Sequence, residues 1–423
     1  MTYDVAIVGA GYVGLPLSVT FAESGCHVLV VDVTAAIVDG LNRGESHIGD
    51  VESERLAPLV EQGLVHATTD YAEMRDAETI LLALPTPLSR QREPDLTIVE
   101  AATRGIAKVL REGQVVVLES TTWPGTTREV LLPILEQVSG LKVGEGFHLA
   151  MSPERVDPGR IDWTTKSTPK ILGGITPECT RRAADTYRKA IDTVHEVSTP
   201  EAAELTKLLE NIFRSVNIAL VNELAQLCDR MGIDIWEVVD AAATKPFGFM
   251  RFSPGPGLGG HCIPIDPFYL TWKAREYGFT TEFIELAGKI NETMPYFCRS
   301  LVSQALNHAK QKAMKGSKIL VLGVAYKPDI GDMRESPAVK IISLLQSAGA
   351  DVSYHDPHVP RFVEHSVDLE SVPYEPAAYD AVVIVTDHSS IDYAQLVDDA
   401  SLVVDLRNAT GAKGTASEKV FKL

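Results

Sequence analysis

Val5-Ala6-Ile7-Val8-Gly9-Ala10-Gly11-Tyr12-Val13-Gly14 lies almost at the start of the chain, and its reading decides the fold. Four apolar residues in a row mark a strand buried on both faces of a parallel sheet. The glycines come next, then a stretch of helical period, Leu15 to Ser24, closed by Gly25; His27 to Val31 is a second strand, and it stops at Asp32. The three motif glycines play different roles. Gly9 makes the tight turn, Gly11 lets the backbone approach a pyrophosphate, and Gly14 permits close packing of helix on strand. The loop carries Tyr12 and Val13 to the helix N-terminus, which offers amides and a positive dipole end to phosphate. Asp32 is placed to accept hydrogen bonds from a ribose diol and to repel a 2′-phosphate, which favours NAD over NADP. A Gly-x-Gly-x-x-Gly alone is weak evidence. Strand, glycines, helix, strand and acid in order are strong, and they read as a site for a nicotinamide or flavin dinucleotide.

The same pattern continues outward. Thr79 to Leu84 is a buried strand ending in Pro85-Thr86-Pro87. Val115 to Leu118 ends in Glu119-Ser120-Thr121-Thr122-Trp123-Pro124-Gly125, and Phe147 to Met151 ends in Ser152-Pro153-Glu154-Arg155. Doubly wound sheets bind ligands at these carboxyl edges. Ser120 and Ser152 serve equally well as helix caps or turn residues. Glu154, a carboxylate on the ligand side, reads as functional. Residues 1–195 form a dinucleotide-binding domain on this reading.

From Thr199 the period turns helical and holds to about Arg230, long enough to cross between domains or subunits. Lys207 and Asn211 lie one turn apart on it, on one face. A loop comes after it: Arg251-Phe252-Ser253-Pro254-Gly255-Pro256-Gly257-Leu258-Gly259-Gly260-His261-Cys262-Ile263-Pro264-Ile265-Asp266-Pro267. Glycines let a backbone approach a ligand closely and prolines stiffen the flanks, so the loop is a shaped wall presenting Cys262. A single cysteine among apolar residues is more often an inert buried thiol. Its reading as a nucleophile depends on the cofactor and substrate sites around it. Phe268 to Tyr277 and Thr281 to Met294 are helical by period, which makes 196–300 an all-α domain.

Residues 315–423 repeat the opening plan with the phosphate glycines lost. Lys318 to Ala325 is a strand, a helix runs through Ala338 to Ser347, and Asp351 to Pro357 is the next strand. Ala381 to Val385 and Leu402 to Asp405 give two more. Lys327, Arg334 and Arg407 are cations at strand carboxyl ends, the place for a second, anionic ligand. The fold class is therefore α/β, with two Rossmann-like doubly wound domains joined by a central all-α domain with a long helix.

The 423 residues carry a net charge of −18, which argues against nucleic acid or an anionic membrane as partner. The five cysteines are odd in number and show no CxxC pair, so neither a disulfide framework nor a metal site is expected. With no apolar run of membrane-spanning length and no targeting segment at the N-terminus, the expectation is a cytoplasmic protein.

These motifs together resemble the UDP-glucose/GDP-mannose dehydrogenases, the nucleotide-sugar 6-dehydrogenases. Carrying the resemblance are Gly9 to Pro16, Glu119-Ser120-Thr121, Ser152-Pro153-Glu154, Lys207 through Asn222-Glu223-Leu224, Gly257 to Cys262, and Lys327-Pro328-Asp329 with Gly331-Asp332 and Arg334-Glu335-Ser336. The resemblance implies a four-electron oxidation of a sugar C6 hydroxyl with two NAD+ in turn, through a thiohemiacetal and a thioester on Cys262. It implies that Lys207 and Asn211 stabilise the oxyanion, that Glu154 and Asp266 act as base and water activator, and that Thr121 holds that water or the cofactor. Thr86 and Arg334 are implied at the cofactor. Glu154, Arg155, Lys207, Asn211, Gly259, Lys327 and Arg407 are implied at the nucleotide sugar, with Arg251 and Phe252 as weaker candidates. The long helix is implied as the core of a homodimer. UDP-glucose and GDP-mannose members read Cys-x-Pro-Lys-Asp where this chain has Cys262-Ile263-Pro264-Ile265-Asp266, which looks like the N-acetylhexosamine branch and implies UDP-N-acetylglucosamine. UDP-glucose and UDP-N-acetylmannosamine are the alternatives within the family. A two-electron β-hydroxyacid or 6-phosphogluconate-type dehydrogenase shares the plan but needs neither Cys262 nor a third domain. A non-catalytic NAD or nucleotide-sugar sensor has no use for a nucleophile.

Overall fold

The computed structural model describes residues 2–89, 93–156, 162–260, 263–364 and 367–423. They group into two compact units: residues 1–210 with 268–279, and residues 211–267 with 280–423.

The first unit is built on eight strands: β1 (Tyr3–Val8), β2 (Val28–Val31), β3 (Val65–Thr68), β4 (Ala77–Leu82), β5 (Val115–Leu118), β6 (His148–Met151), β7 (Lys170–Gly174) and β8 (Val194–Glu196). Their order is β3-β2-β1-β4-β5-β6-β7-β8. The chain leaves β1 for β2 on one side and returns to β4 on the other, so the crevice between the carboxyl ends of β1 and β4 is a topological switch point. Every pairing is parallel except β6 with β7, where Ala150 faces Gly174 and Met151 faces Gly173. Val5, Ile7, Val28, Val30, Leu81 and Val117 are wholly buried, as residues of a sheet covered on both faces must be. Tyr269 is buried in this unit and donates its hydroxyl to the Thr86 carbonyl. Trp272 packs against Trp123 with ring centroids 4.8 Å apart.

The second unit holds a parallel sheet of β9 (Lys318–Leu322), β10 (Asp351–His355), β13 (Ala381–Ile384), β14 (Val403–Asp405) and β15 (Val420–Lys422), in the order β10-β9-β13-β14-β15. Between β10 and β13 stands an antiparallel hairpin of β11 (Arg361–Glu364) and β12 (Val367–Glu370). The helical period predicts a helix to Met294; the helix found is Glu282–Lys310, running through Pro295. A proline inside a helix costs about 3 kcal/mol. Here Met294, Cys298, Leu301, Val302, Ala305 and Leu306 bury one face of that helix against the second sheet, which offsets the cost. The long helix is Pro200–Met231, and the chain passes from one unit to the other within it.

One glycine survives in the second unit where loss of the phosphate glycines was expected. Gly323 comes directly after β9 as Gly9 does after β1, with φ +77° and +100° respectively. A Cβ on Gly9 would lie 2.4 Å from the Ala83 carbonyl oxygen beyond β4, and one on Gly323 would lie 2.4 Å from the Thr386 carbonyl oxygen beyond β13. The first turn of both units is the same device. Beyond that turn the two loops differ.

Candidate active site and cofactor cleft

At the β1–β4 crevice the three glycines differ in surroundings as their roles require. A Cβ on Gly14 would lie 1.8 Å from the Gly9 carbonyl oxygen, so the helix Gly14–Glu23 packs where no side chain fits. A Cβ on Gly11 would meet nothing within 4 Å, which leaves the loop backbone open to a ligand. Asp32 stands just past β2; its Oδ2 accepts from the Ala10 N–H and its Oδ1 from the Thr34 N–H, both at 2.9 Å. The carboxylate is thus fixed to the glycine loop and remains partly exposed. Tyr12, 46% exposed, and the half-buried Val13 continue the loop to the helix. An open pyrophosphate cradle, a helix N-terminus and a held acid fit the two halves of NAD. Thr86, beyond β4, donates to the Thr121 carbonyl at 2.8 Å and ties the next two strand ends together.

The ends of β5 and β6 carry a buried acid–base cluster of which Glu154 alone reads as functional in the sequence. Glu154 Oε1 accepts from the backbone N–H groups of Arg155 and Val156, both at 2.7 Å. Its Oε2 lies 3.2 Å from Lys170 Nζ, which also lies 2.5 Å from Glu119 Oε2. Glu119 in turn accepts from the Tyr187 hydroxyl. Burial pushes the Glu119 carboxyl above its ordinary value despite Lys170. Burial pushes Glu154 the same way, but Lys170 and the two backbone donors outweigh it and hold Glu154 below the usual carboxylate range. Burial pushes the Lys170 ammonium down, but the two carboxylates outweigh it and hold its pKa raised. Arg155 is committed elsewhere, with its guanidinium 2.5 Å from Glu210 and donating to the Pro169 carbonyl at 2.6 Å. Lys170 is absent from the candidates drawn from the sequence, yet it had a signal. It stands at the head of the apolar run Ile171-Leu172-Gly173-Gly174, and a cation in a buried strand needs a counter-charge.

Lys207 is buried on the long helix in the first unit, and one turn earlier Glu204 is buried too. Glu204 accepts from the Gly125 and Thr127 N–H groups and from the Thr127 hydroxyl, at 2.6, 2.9 and 2.7 Å. Burial raises its carboxyl to about 7 in spite of these bonds. In the second unit, Asn211 Nδ2 donates to Asp266 Oδ2 at 2.6 Å, and both side chains are buried.

The glycine loop of the second unit is shaped by its contacts. The Gly255 N–H donates to Asn222 Oδ1 at 2.9 Å, and a Cβ on Gly255 would lie 2.8 Å from a guanidinium nitrogen of Arg407. Arg407 Nε donates to the Val385 carbonyl at 2.7 Å. A Cβ on Gly259 would lie 2.7 Å from Tyr326, and the Gly260 N–H donates to the Arg334 carbonyl at 3.2 Å. Gly259, Arg407 and the segment from Tyr326 to Arg334, which includes Lys327, are therefore one neighbourhood. The Arg334 guanidinium lies 2.6 Å from Asp332. Arg251 pairs with Asp240 at 2.7 Å and is exposed, and Phe252 packs edge-on against Phe213. Cys262 lies outside the described residues.

Asp356 stands just past β10 as Asp32 does past β2, but its setting is different. Its Oδ1 accepts from the His358 and Val359 N–H groups, and its Oδ2 from the Val324 and Ala325 N–H groups. His388 Nδ1 accepts the Asp329 N–H at 3.0 Å, so its other nitrogen carries the proton it gives to Asp356 Oδ2, also at 3.0 Å. The Asp356 side chain is fully buried.

An open dinucleotide cradle beside a buried acid–base cluster, with a second Rossmann-like unit bearing a cationic glycine loop, defines an NAD-dependent dehydrogenase. The chain belongs to the UDP-glucose/GDP-mannose dehydrogenase family: residues 3–191 match its NAD binding domain, 201–293 its central domain and 320–412 its UDP binding domain. It is 38% identical to the UDP-N-acetyl-D-mannosamine dehydrogenase of Pyrococcus horikoshii, over 91% of this chain and 89% of that one. It is 35% identical to the UDP-N-acetyl-D-glucosamine 6-dehydrogenase of Pseudomonas aeruginosa, over 91% of this chain and 90% of that one. The solved structure of the P. horikoshii UDP-D-ManNAc dehydrogenase superposes with a TM-score of 0.90 at 32% identity, covering 99% of this chain and 98% of that one. The protein is an NAD-dependent nucleotide-sugar dehydrogenase. Among the described residues no helix is long and apolar enough to cross a membrane.

Proposed function

We propose that this enzyme oxidises the C6 hydroxyl of a UDP-N-acetylhexosamine to the carboxylate in two steps, with UDP-N-acetylglucosamine as its substrate. The observation that carries the reading is Cys262-Ile263-Pro264-Ile265-Asp266, with Ile265 where the UDP-glucose and GDP-mannose members have Lys. Relatives named for N-acetylhexosamines support it. UDP-N-acetylmannosamine is the second reading, favoured by the name of the P. horikoshii relative.

Bound NAD supplies a hydride acceptor, once for each oxidation. In the first, C6 gives up a hydride and its hydroxyl a proton, leaving an aldehyde. The Cys262 thiolate adds to the aldehyde carbon, and Lys207 and Asn211 donate to the oxyanion so formed. Loss of a second hydride from C6 yields a thioester. Water then attacks the acyl carbon, the C–S bond breaks, and the thiolate is regenerated. Glu154 takes the proton of that water, with Asp266 and Thr121 assisting its placement. Two NAD+ and one water are consumed per sugar, and two NADH, one carboxylate and three protons are formed.

On this reading residues 1–195 bind NAD, 196–300 carry the Cys262 loop, and 315–423 bind the uridine nucleotide through Lys327 and Arg407. A homodimer through the long helix is supported by a stripe of apolar residues left open on it: Leu220 is 53%, Leu224 38%, Leu227 50% and Met231 60% exposed. The excess of negative charge argues against nucleic-acid or anionic-membrane partners, and the unpaired cysteine pattern favours a cytoplasmic enzyme.

The test is NADH yield, run to completion, with UDP-N-acetylglucosamine, UDP-N-acetylmannosamine, UDP-N-acetylgalactosamine, UDP-glucose and GDP-mannose. Two NADH per UDP-N-acetylglucosamine and little from the others is the expected result. A preference for UDP-glucose would keep the chemistry and remove the support from Ile265.

A further inference from the structure

We propose that Lys170 is a positioning residue for thioester hydrolysis, holding the Glu154 carboxylate ionised and in place while Glu119 locks the lysine from behind. The proposal rests on the assignment of Glu154 to hydrolysis made above, and it adds residues that the reaction has not so far required.

The direction of β7 puts the lysine where it can act. In a parallel sheet the first residue of a strand lies at the edge away from the ligands. Because β7 runs antiparallel to β6, its first residue lies at the ligand edge instead. Carrying the register of Ala150 with Gly174 and Met151 with Gly173 three residues further sets Glu154 opposite Lys170. The reversal between β6 and β7 thus delivers a cation to a strand end that carries the proposed base.

The cluster is built to keep that cation charged. Lys170 has 3% of its side chain exposed, and so deep an ammonium stays protonated only beside compensating charge. Glu119, its side chain wholly buried, supplies that charge at 2.5 Å. Tyr187, buried on the helix Pro177–Tyr187, satisfies the other Glu119 oxygen. Glu154 is the member that reaches outward, with 15% of its side chain exposed. Around it stand Lys170 and Glu119 from β7 and the end of β5, and beside it Arg155, which is bound to Glu210 of the long helix. Two carboxylates share one ammonium, so the negative charge left over sits on the one that water can reach. A carboxylate so held accepts a proton from water and has no proton to donate, which matches hydrolysis and not protonation of a leaving group.

The experiment tracks acyl-enzyme breakdown by quenching and intact-mass measurement across pH, with UDP-N-acetylglucosamine and the whole enzyme. Lys170→Met is compared with Lys170→Arg, with Glu154→Gln, and with the double variant Glu119→Gln/Lys170→Met. The double variant removes Lys170 and its fully buried counter-charge Glu119 together, so neither is left without the other. In the two Lys170→Met forms the acid limb of breakdown moves up by about one pH unit, a tenfold loss of ionised base on the acid side. The adduct on the enzyme accumulates, the first hydride transfer keeps its rate, and Lys170→Arg returns the limb toward that of wild type. A folded double variant with an unmoved acid limb overturns the proposal. If Glu154→Gln hydrolyses the acyl-enzyme at the wild-type rate, the assignment of Glu154 fails, and the role of Lys170 fails with it.

Discussion

Two glycines of one motif should respond to the same methyl group in opposite ways. Gly14→Ala drives a Cβ into the Gly9 carbonyl and should destabilise the fold by more than about 2 kcal/mol, read as a lower melting temperature. Gly11→Ala meets nothing within 4 Å in the free protein, so its melting temperature should stay near wild type. Its NAD affinity, measured by titration calorimetry, should fall about tenfold or more as the methyl enters the space of the pyrophosphate. Equal damage to stability from both would show that Gly11 is structural. For Cys262→Ser the expectation is NAD binding intact and no carboxylate formed; carboxylate at the wild-type rate would remove the thioester from the mechanism. At this scale the residues on local motifs were legible, because Gly9, Gly11, Gly14 and Asp32 act within one strand–helix–strand unit. Lys170 was not placed, because its meaning depends on a partner strand and on which way that strand runs.

Among the elements, apolar runs such as Val5 to Val8 and Val115 to Leu118 announced their strands. The short β3, β8, β12 and β15 carry polar or charged residues within three or four positions, too few for a period to emerge. Pro295 hid the second half of a long helix, since local propensity argues for a stop that tertiary burial overrides. The other long helix holds a buried acid whose titration can be measured. Glu204 has its folded-state value raised from 4.5 to about 7, so the folded protein binds the extra proton and stability falls as pH rises through that window. Glu204→Gln cannot ionise. Its stability deficit relative to wild type should therefore shrink by roughly 2–3 kcal/mol between pH 5 and pH 8, measured by urea unfolding. A deficit that grows instead would mean that the bonds from Gly125 and Thr127 outweigh the cost of burying the charge.

For the molecule as a whole, the order of motifs along the chain made two Rossmann-like halves and a helical middle legible, because each motif is punctuated by its own strand end. The proposed homodimer would rest on spacing that a sequence shows only as apolar period. Leu220, Leu224, Leu227 and Met231 recur every three or four residues and remain exposed. Leu220→Arg with Leu227→Arg should halve the mass seen by sedimentation without lowering NAD binding; an unchanged mass would move the interface elsewhere.

The seal on Asp356 has a consequence for the order of events in the proposed reaction. Its counterpart Asp32 is open to a ribose, whereas Asp356 spends both oxygens on its own backbone and His388, and Ala325 stands two places after Gly323, where the first unit has Gly11 two places after Gly9. Among the described residues the second unit therefore lacks the open acid and the second motif glycine of the first, and the proposed reaction would draw on one NAD site per chain. In the two-step oxidation proposed above, spent cofactor would have to depart and fresh cofactor arrive while the sugar is only half oxidised. During that exchange a free aldehyde could drift away or hydrate. The proposed hold of the Cys262 thiol on it would turn an interrupted reaction into a processive one.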